Sequence, residues 1–203
     1  MISEFVLCGW TDYAGRMRVK FLKSAVLPAD YPHPYKPEVA IVGRSNAGKS
    51  SFINALVDQK IAKVSASPGK TRLLNFFELA DSVYFVDCPG YGFAKGNLEE
   101  VLSWRGMIET YLTQRETLKG VILIMDIRRD WDDEEKLLQS WLAHHKTPWV
   151  LILNKADKLS RSVTLQRQKI IQKSIGSTPS FIVSSSKKIG FDGVKNVIFK
   201  EWS

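Results

Sequence analysis

Cysteine and long apolar runs are both scarce in this sequence. Cys8 and Cys88 are the two cysteines among 203 residues, which is too few for a disulfide scaffold and typical of a reducing compartment. Cys and His do not recur at the spacing of a structural zinc site. Apolar stretches such as residues 121–125 reach about a quarter of a membrane span, and the N-terminus lacks a signal-peptide pattern. We therefore expect a soluble, cytoplasmic protein without membrane segments.

Composition and charge indicate one globular domain with a basic surface. Hydrophobic residues make up 44% and charged residues 25% of the chain, as in ordinary globular proteins. The net charge is +8, and the basic excess lies at the two ends of the chain. Residues 1–50 hold seven Lys or Arg against four Asp or Glu, and residues 155–203 hold ten against three. Such a surface either keeps the protein soluble or faces a polyanion, RNA above all. Charge alone does not decide between these two interpretations.

Prolines separate a short N-terminal segment from the rest of the chain. Four of the eight prolines lie within residues 27–37, and proline fixes φ and removes a backbone donor, so this stretch is predicted to be an extended connector. We predict an N-terminal extension over residues 1–37, which packs on the core or links to it. One domain is predicted over residues 38–203.

Beyond residue 37, short β-rich apolar runs alternate with helical patterns. This alternation predicts an α/β fold, a three-layer sandwich in which helices cover both faces of a six-stranded, mostly parallel sheet. Residues 76–79 and 83–87 are joined by a short turn and are predicted to form an antiparallel hairpin at one edge. The other predicted strands are 38–42, 121–125, 149–153 and 181–183, and the predicted helices are 49–57, 98–112, 132–145, 164–174 and 191–202.

An acidic cluster marks the start of the predicted helix 132–145. It comprises Asp130, Asp132, Asp133, Glu134 and Glu135. Carboxylates at a helix N-terminus interact favourably with the exposed N–H groups and the helix dipole. We interpret the cluster as favourable electrostatics at the start of a helix, with a metal-binding or catalytic role as the alternative.

A phosphate-binding loop is predicted after the first strand of the domain. Residues 43–50 read GRSNAGKS and match G-x-x-x-x-G-K-[ST] between a strand and a helix. The loop N–H groups and the helix N-terminus would surround phosphates, while Lys49 would reach the β- and γ-phosphates and the Ser50 hydroxyl would bind Mg²⁺. The nucleotide-binding residues predicted here are Gly43, Arg44, Ser45, Asn46, Ala47, Gly48, Lys49, Ser50 and Ser51.

The motif Asp87-Cys88-Pro89-Gly90 ends the second strand of the predicted hairpin. A carboxylate at this place can hold Mg²⁺ through a water molecule, and the Gly90 N–H can meet the γ-phosphate. The motif D-x-x-G is weak evidence for a metal site by itself. At a strand end after a phosphate loop, it is the expected second half of a magnesium site. Cys88 is interpreted as a small buried side chain, with redox control as the alternative.

The motif Asn154-Lys155-Ala156-Asp157 follows a predicted strand and selects the base. The Asp157 carboxylate can accept two N–H bonds from guanine, whereas adenine offers no such pair. The Lys155 stem can lie across the base, and the Ser186 backbone N–H could meet guanine O6. These residues predict GTP binding, and the downstream residues assigned to the same site are Ser184, Ser185, Ser186 and Lys187.

Taken together, these motifs resemble those of the bacterial EngB family, also called YsxC or YihA, among translation-factor-class small GTPases. The resemblance extends from about residue 21 to residue 202 and rests on residues 43–51, 68–71, 87–92, 126–128 and 154–159. It implies a P-loop GTPase fold, bound GTP or GDP with Mg²⁺, and a role in assembly of the large ribosomal subunit. The implied partners are rRNA and ribosomal proteins of the subunit precursor, and the family is also linked to cell division and septation.

The resemblance further implies that residues 60–74 form the first switch loop. Its Thr71 would complete the metal shell with Ser50 and Asp87, although a loop threonine that caps backbone groups is the alternative. The residues assigned to nucleotide binding in this loop are Gly69, Lys70, Thr71, Arg72 and Leu73.

The hydrolysis rate is expected to be low. Tyr91 stands where Ras-like GTPases place a water-positioning glutamine, so we expect intrinsic turnover well below ~1 s⁻¹, stimulated by the ribosomal particle. The predicted catalytic residues are Lys49, Thr71, Gly90 and Asn46. Asn46 either supports a K⁺ ion beside the phosphates or only hydrogen-bonds within the loop, and an arginine finger from Arg44 or Arg72 remains open.

A monomeric GTP-driven switch is the predicted function. The alternative is a scaffold in division-septum assembly that uses GTP only structurally. That alternative predicts protein partners and little influence of the nucleotide state on binding to ribosomal particles.

Overall fold

A seven-stranded sheet is the centre of the computed structural model, which describes residues 17–63, 73–91 and 98–203, with the backbone alone over residues 98–105. In space the strands run β1-β3-β4-β2-β5-β6-β7. β3 is antiparallel to both of its neighbours, and every other neighbouring pair is parallel. The strands are β1 (Val19–Ala25), β2 (Glu38–Gly43), β3 (Leu74–Leu79), β4 (Val83–Asp87), β5 (Leu118–Asp126), β6 (Trp149–Asn154) and β7 (Ser180–Ile182).

Five α-helices of the described part of the chain accompany the sheet. They are α1 (Lys49–Val57), α2 (Leu98–Gln114), α3 (Asp133–His144), α4 (Arg161–Ile175) and α5 (Asp192–Asn196), the last continuing into a π-helical turn at Val197–Glu201. Of these, α2, α3 and α4 connect neighbouring or nearby parallel strands. Sequence signals set several of the ends. Ser160 caps α4 by accepting a hydrogen bond from the Val163 N–H at 3.4 Å, and α3 begins with three acidic residues and ends with a histidine. No helix in the described part of the chain is long and apolar enough to cross a membrane.

The central strands β2, β4, β5 and β6 are buried on both faces, and their alternating side chains contribute to two cores. Val39 and Ile41 of β2 point to one core, which includes Phe52 of α1 and the C-terminal Trp202. Ala40 and Val42 point to the other core, to which α2, α3 and α4 contribute Tyr111, Leu142 and Ile171. A sheet covered on both faces explains why its central strands are nearly continuous apolar runs.

A buried carboxylate ties the proline-rich connector to the base of the sheet. Glu38 is fully buried and accepts hydrogen bonds from the Tyr111 hydroxyl at 2.9 Å, from Arg115 Nε at 2.7 Å and from Thr117 Oγ1 at 3.0 Å. Arg115 also donates to the Pro32 carbonyl at 2.5 Å. The charge is therefore paired and hydrogen-bonded, as burial requires.

The predicted α/β class and the mostly parallel sheet with helices on both faces are confirmed, and so is the antiparallel hairpin β3–β4. That edge of the sheet, however, is formed by β1 and not by the hairpin. The strand count of six was too low, because β1 adds a seventh strand that pairs antiparallel with β3. In β1, exposed lysines stand among apolar residues, and apolar and polar positions do not alternate regularly along the strand. The predicted helix 191–202 is α5 followed by the π-helical turn. The division of the chain at residue 37 stays a prediction.

Candidate nucleotide-binding site

The predicted motifs meet at one edge of the sheet. β2, β4, β5 and β6 are mutually parallel in neighbouring pairs and end at Gly43, Asp87, Asp126 and Asn154. Carboxyl ends of parallel strands are where α/β folds bind ligands. The edge therefore collects the phosphate loop, the Asp87 motif and the Asn154 motif around one place.

The phosphate loop turns tightly from β2 into α1. Gly48 is the N-cap of α1 with a left-handed backbone (φ 99°), and a Cβ there would lie 2.5 Å from Asn154 Nδ2. Glycine is thus required both for the turn and for the close approach of the loop to β6. Lys49 follows, and its ammonium donates to the carbonyls of Gly43 at 3.1 Å and Arg44 at 3.4 Å. Burial lowers the pKa of Lys49, opposed by the charge of Asp87.

Asp87 and Ser50 have the character of a magnesium site. Asp87 is 5% exposed and accepts a hydrogen bond from the Ser50 hydroxyl at 3.4 Å on Oδ2. Its other oxygen, Oδ1, is buried and has no hydrogen-bond partner among the described residues. Burial raises the pKa of Asp87 to about 6, against the effects of Lys49 and Ser50. A buried carboxylate oxygen without a partner beside a serine hydroxyl fits a hard cation that prefers oxygen ligands.

Several predicted residues of the first switch loop lie outside the described residues. These are Gly69, Lys70, Thr71 and Arg72. Leu73 directly precedes β3 and is 39% exposed.

Ser51, predicted to bind nucleotide together with the phosphate loop, lies in the first turn of α1.

Cys88 is packed rather than presented to solvent. It is 1% exposed, its Sγ lies 3.6 Å from the Val86 carbonyl, and its N–H donates to Ile41 at 3.0 Å. Burial raises the pKa of the thiol, and the charge of Asp87 adds to this effect. Since redox-active cysteines are exposed thiolates, the geometry favours the packing interpretation.

The Asn154 motif is joined to the phosphate loop by direct hydrogen bonds. Asn154 is 1% exposed and donates from Nδ2 to the Ala47 carbonyl at 3.1 Å, while its Oδ1 accepts from the Ser185 N–H at 3.2 Å and hydroxyl at 2.9 Å. Lys155 donates to the Asn46 carbonyl at 2.6 Å. The base motif, the serine segment and the phosphate loop therefore form one connected unit.

Asp157 is oriented by the serine segment that follows β7. The buried Ser184 donates its hydroxyl to Asp157 Oδ1 at 2.6 Å and accepts from the Lys187 N–H at 3.2 Å. The Ser186 hydroxyl lies 3.2 Å from the Ser184 hydroxyl. The hydrogen bond from Ser184 lowers the pKa of Asp157. The serine run thus holds an ionised carboxylate in one orientation, as recognition of two guanine N–H groups requires.

Asp126 lies beside the Asn154 motif, although the sequence analysis gave it no site role and used residues 126–128 only as part of the family resemblance. Its Oδ2 lies 3.1 Å from Lys155 Nζ, and Arg128 donates to its two oxygens at 2.9 and 2.7 Å. Burial opposes its ionisation, but the bonds from Arg128 and Lys155 prevail and lower its pKa to about 2. Its position at the end of β5, level with Asn154 of β6, was the available signal.

The acidic start of α3 faces the phosphate loop. Arg44 forms ion pairs with Asp132 at 3.0 Å and Glu134 at 2.6 Å, and its Nε lies 3.6 Å from Glu135. The cluster therefore does more than complement the helix dipole, because it also anchors a loop arginine. The Arg44 guanidinium points to α3, which argues against its use as an arginine finger in this arrangement.

The Asn154 motif shares hydrogen bonds with the phosphate loop at the carboxyl edge of the sheet. This arrangement is found in P-loop GTPases, and the fold places this chain in that class. The sequence model of a family described as 50S ribosome-binding GTPase matches residues 38–155. The probable GTP-binding protein EngB of Bdellovibrio bacteriovorus is 54% identical over 91% of this chain and 92% of its own length. The EngB protein of Listeria welshimeri is 42% identical over 86% and 92%, respectively. The chain belongs to the EngB family of GTP-binding proteins.

Solved structures agree with the fold. The crystal structure of a probable GTP-binding protein EngB matches with a TM-score of 0.65 and 21% identity, covering 80% of this chain and 97% of the other. Era in complex with MgGDPNP and nucleotides 1506–1542 of 16S ribosomal RNA matches with a TM-score of 0.64 and 25% identity, covering 83% of this chain and 57% of that one.

Proposed function

We propose that this protein is a slow, Mg²⁺-dependent GTPase that acts as a cytoplasmic, monomeric switch in assembly of the large ribosomal subunit. The observation that carries the proposal is the hydrogen-bonded unit of phosphate loop, Asn154 motif and Ser184–Asp157 pair. It stands in a chain whose family is described as 50S ribosome-binding GTPase. That unit can recognise guanine and phosphates together. The alternative scaffold would also bind GTP, so it is the family description that favours the ribosomal role.

The proposed roles follow from where the described side chains lie and, for Thr71, from the family resemblance alone. Lys49 is half-buried at the end of the phosphate loop and would pair with the β- and γ-phosphates, and the Gly90 N–H would donate to the γ-phosphate. Ser50 and Asp87 would hold Mg²⁺ together with Thr71, and the ion would supply charge neutralisation at the phosphate oxygens. Asn46 is the fourth proposed catalytic residue, and its proposed role is to act as a ligand of K⁺ beside the phosphates. A KCl-for-NaCl exchange that leaves particle-stimulated hydrolysis unchanged would remove K⁺ from the proposal.

Slow hydrolysis is part of the proposal because of Tyr91. Its hydroxyl donates to Glu135 at 3.1 Å, so in this arrangement it is directed toward α3. A phenol in that position does not align an attacking water as a glutamine amide does. Free-protein turnover above ~1 s⁻¹ would contradict this part.

Helix α4 supplies a candidate surface for ribosomal RNA. Its 15 residues include four Lys or Arg and no Asp or Glu. Arg167 pairs with Asp130 at 2.9 Å, whereas Lys169 and Lys173 are exposed and form no ion pair with the described residues. Gln166 and Ser162 are exposed on the same ridge, one and two turns before Lys169. Cations and polar donors without carboxylates suit a phosphate backbone.

Cosedimentation with large-subunit precursor particles tests the ribosomal part. We expect binding with a non-hydrolysable GTP analogue to exceed binding with GDP and to fall steeply with salt. Removal of two phosphate contacts in a Lys169→Gln/Lys173→Gln double variant should make the log–log salt slope shallower by about 1.5. The matched control is Lys136→Gln, an exposed lysine of α3 that pairs with Asp133 at 2.9 Å. An affinity for the particles that depends neither on the bound nucleotide nor on the salt concentration would contradict the proposal and favour the septum scaffold.

A further inference from the structure

Tyr91, the residue directly after the Asp87 motif, is bound to the phosphate loop through its backbone. Its N–H donates to the Gly43 carbonyl at 3.3 Å, and its carbonyl accepts from the Ser45 N–H at 2.9 Å. The two segments form a parallel bridge between Arg44 and Tyr91. Backbone hydrogen bonds therefore join the segment after Asp87 to the phosphate loop, at the place where both would contact a γ-phosphate.

The Tyr91 side chain fastens the same segment to α3. Its hydroxyl donates to Oε1 of Glu135 at 3.1 Å, and Glu135 is only 1% exposed. The other oxygen of Glu135 has no hydrogen-bond partner among the described residues, and the Arg44 Nε is 3.6 Å from Oε1. A buried carboxylate with so few donors depends on the tyrosine, because loss of that donor leaves it poorly solvated.

Gly90 lies close against the phosphate loop in this arrangement. A Cβ built on Gly90 would be 2.8 Å from the Lys49 ammonium and 2.8 Å from the Ser45 nitrogen. A phosphate oxygen bound by Lys49 would also lie about 2.8 Å from the ammonium nitrogen of Lys49. The space that such an oxygen would take beside Gly90 is therefore narrow, and the Ser45 N–H and the ammonium already bond to carbonyls.

We infer that the hydroxyl of Tyr91 and the carboxylate of Glu135 form a latch that sets the preference of the site between GDP and GTP. With the latch closed, Gly90 and Tyr91 lie on the phosphate loop, and a γ-phosphate can bind only after this segment has moved away. A diphosphate does not reach that place and leaves the latch closed. A ligand shifts such an equilibrium only by its different affinity for the two states, so the latch lowers the apparent affinity for GTP alone.

Nucleotide titrations of Tyr91→Phe and Glu135→Gln test the latch. Dissociation constants for GDP and for a non-hydrolysable GTP analogue are measured with Mg²⁺ present. We expect Tyr91→Phe to strengthen analogue binding relative to GDP by roughly tenfold, the lower end of the range for one hydrogen bond to a charged group. Glu135→Gln should shift the ratio in the same direction by less, because an amide oxygen still accepts. The double variant should match the larger single effect, since both substitutions break one contact.

Asp133→Asn is the matched control. It removes a carboxylate from the same turn of α3, but Asp133 is exposed and pairs with Lys136. Its nucleotide ratio should stay within about twofold of the wild type, and thermal unfolding of all variants checks that they are folded.

The latch rests on nucleotide binding at the proposed site but not on the ribosomal role. An unchanged ratio in both variants, with both nucleotides still bound, would overturn the latch alone. A shift in Asp133→Asn as large as in Tyr91→Phe would overturn it as well, because general helix charge would then be the cause. A wild-type protein that binds neither nucleotide would overturn the latch and the proposed function together.

Discussion

Removal of the Ser184 hydroxyl should weaken guanine recognition without harming the phosphate site. The hydroxyl donates to Asp157 at 2.6 Å from a residue that is 4% exposed, and it also accepts from the Lys187 N–H. In a Ser184→Ala variant the Asp157 carboxylate loses its shortest hydrogen bond and can rotate away from the guanine N–H groups. Adenine nucleotides do not use this carboxylate, so their weak binding should not change.

The size of the effect follows from the surroundings of Asp157. Loss of a hydrogen bond to a charged group costs about 1.5–3 kcal/mol where the charge stays buried. The side chain of Asp157 is 12% exposed, so water can replace part of that bond, and the lower end of the range applies. We therefore expect about a tenfold loss of GDP and GTP affinity.

Asp157 should remain ionised in this variant. The bond from Ser184 lowers its pKa in the wild type, and without it the pKa moves back toward the ordinary value of about 4. That value is far below neutral pH, so the affinity loss should be constant between pH 6 and 8. A loss that grew as the pH fell within this window would point to protonation instead of orientation.

The assay is a fluorescence titration with labelled GDP, GTP and ATP, with Ser180→Ala as the control. Ser180 lies in β7 and hydrogen-bonds to Gln168 and Gln172 of α4, outside the site. Equal losses for guanine and adenine nucleotides would refute the reasoning. So would a loss in the control as large as in Ser184→Ala.

Two further predictions concern stability and are measured by urea unfolding. Glu38→Ala leaves Arg115 without its buried partner and should lower the free energy of unfolding by about 3–5 kcal/mol, whereas the exposed neighbour Glu116→Ala should change it by less than about 0.5 kcal/mol. Gly120→Ala places a Cβ 2.5 Å from the Trp202 ring and should cost about 1–3 kcal/mol through overpacking. A cost below about 0.5 kcal/mol for either substitution would show that the contact is relaxed in solution.

Much of the fold and the position of the site could be predicted from the sequence, because the motifs sit at strand ends. The observed bounds of α1 and β4 are those predicted, and the hairpin β3–β4 follows from its short turn. Strands buried on both faces produce apolar runs that are easy to recognise. β1 was missed because an edge strand with exposed lysines produces no such run.

The contacts that organise the site could not be predicted. Arg44 meets α3 some 90 residues away in sequence, and Tyr91 meets Glu135 across 44 residues. Neither pair has a local signature, since charged and phenolic side chains in loops are common in any protein. Ser184 and Asp157 likewise come together only because β6 and β7 are neighbours in the sheet. Spacing located the motifs, but only the topology reveals which side chains hold them in position.

The central claim is guanine-specific nucleotide binding at the edge formed by β2, β4, β5 and β6. The most direct measurement compares the affinities of wild type and Asp157→Asn for GDP, GTP, ATP and xanthosine diphosphate with Mg²⁺ present. The account predicts that the wild type prefers guanine nucleotides and that the variant shifts its preference toward xanthine, because an amide can donate where the carboxylate accepted. ATP binding as tight as GTP binding in the wild type would contradict it.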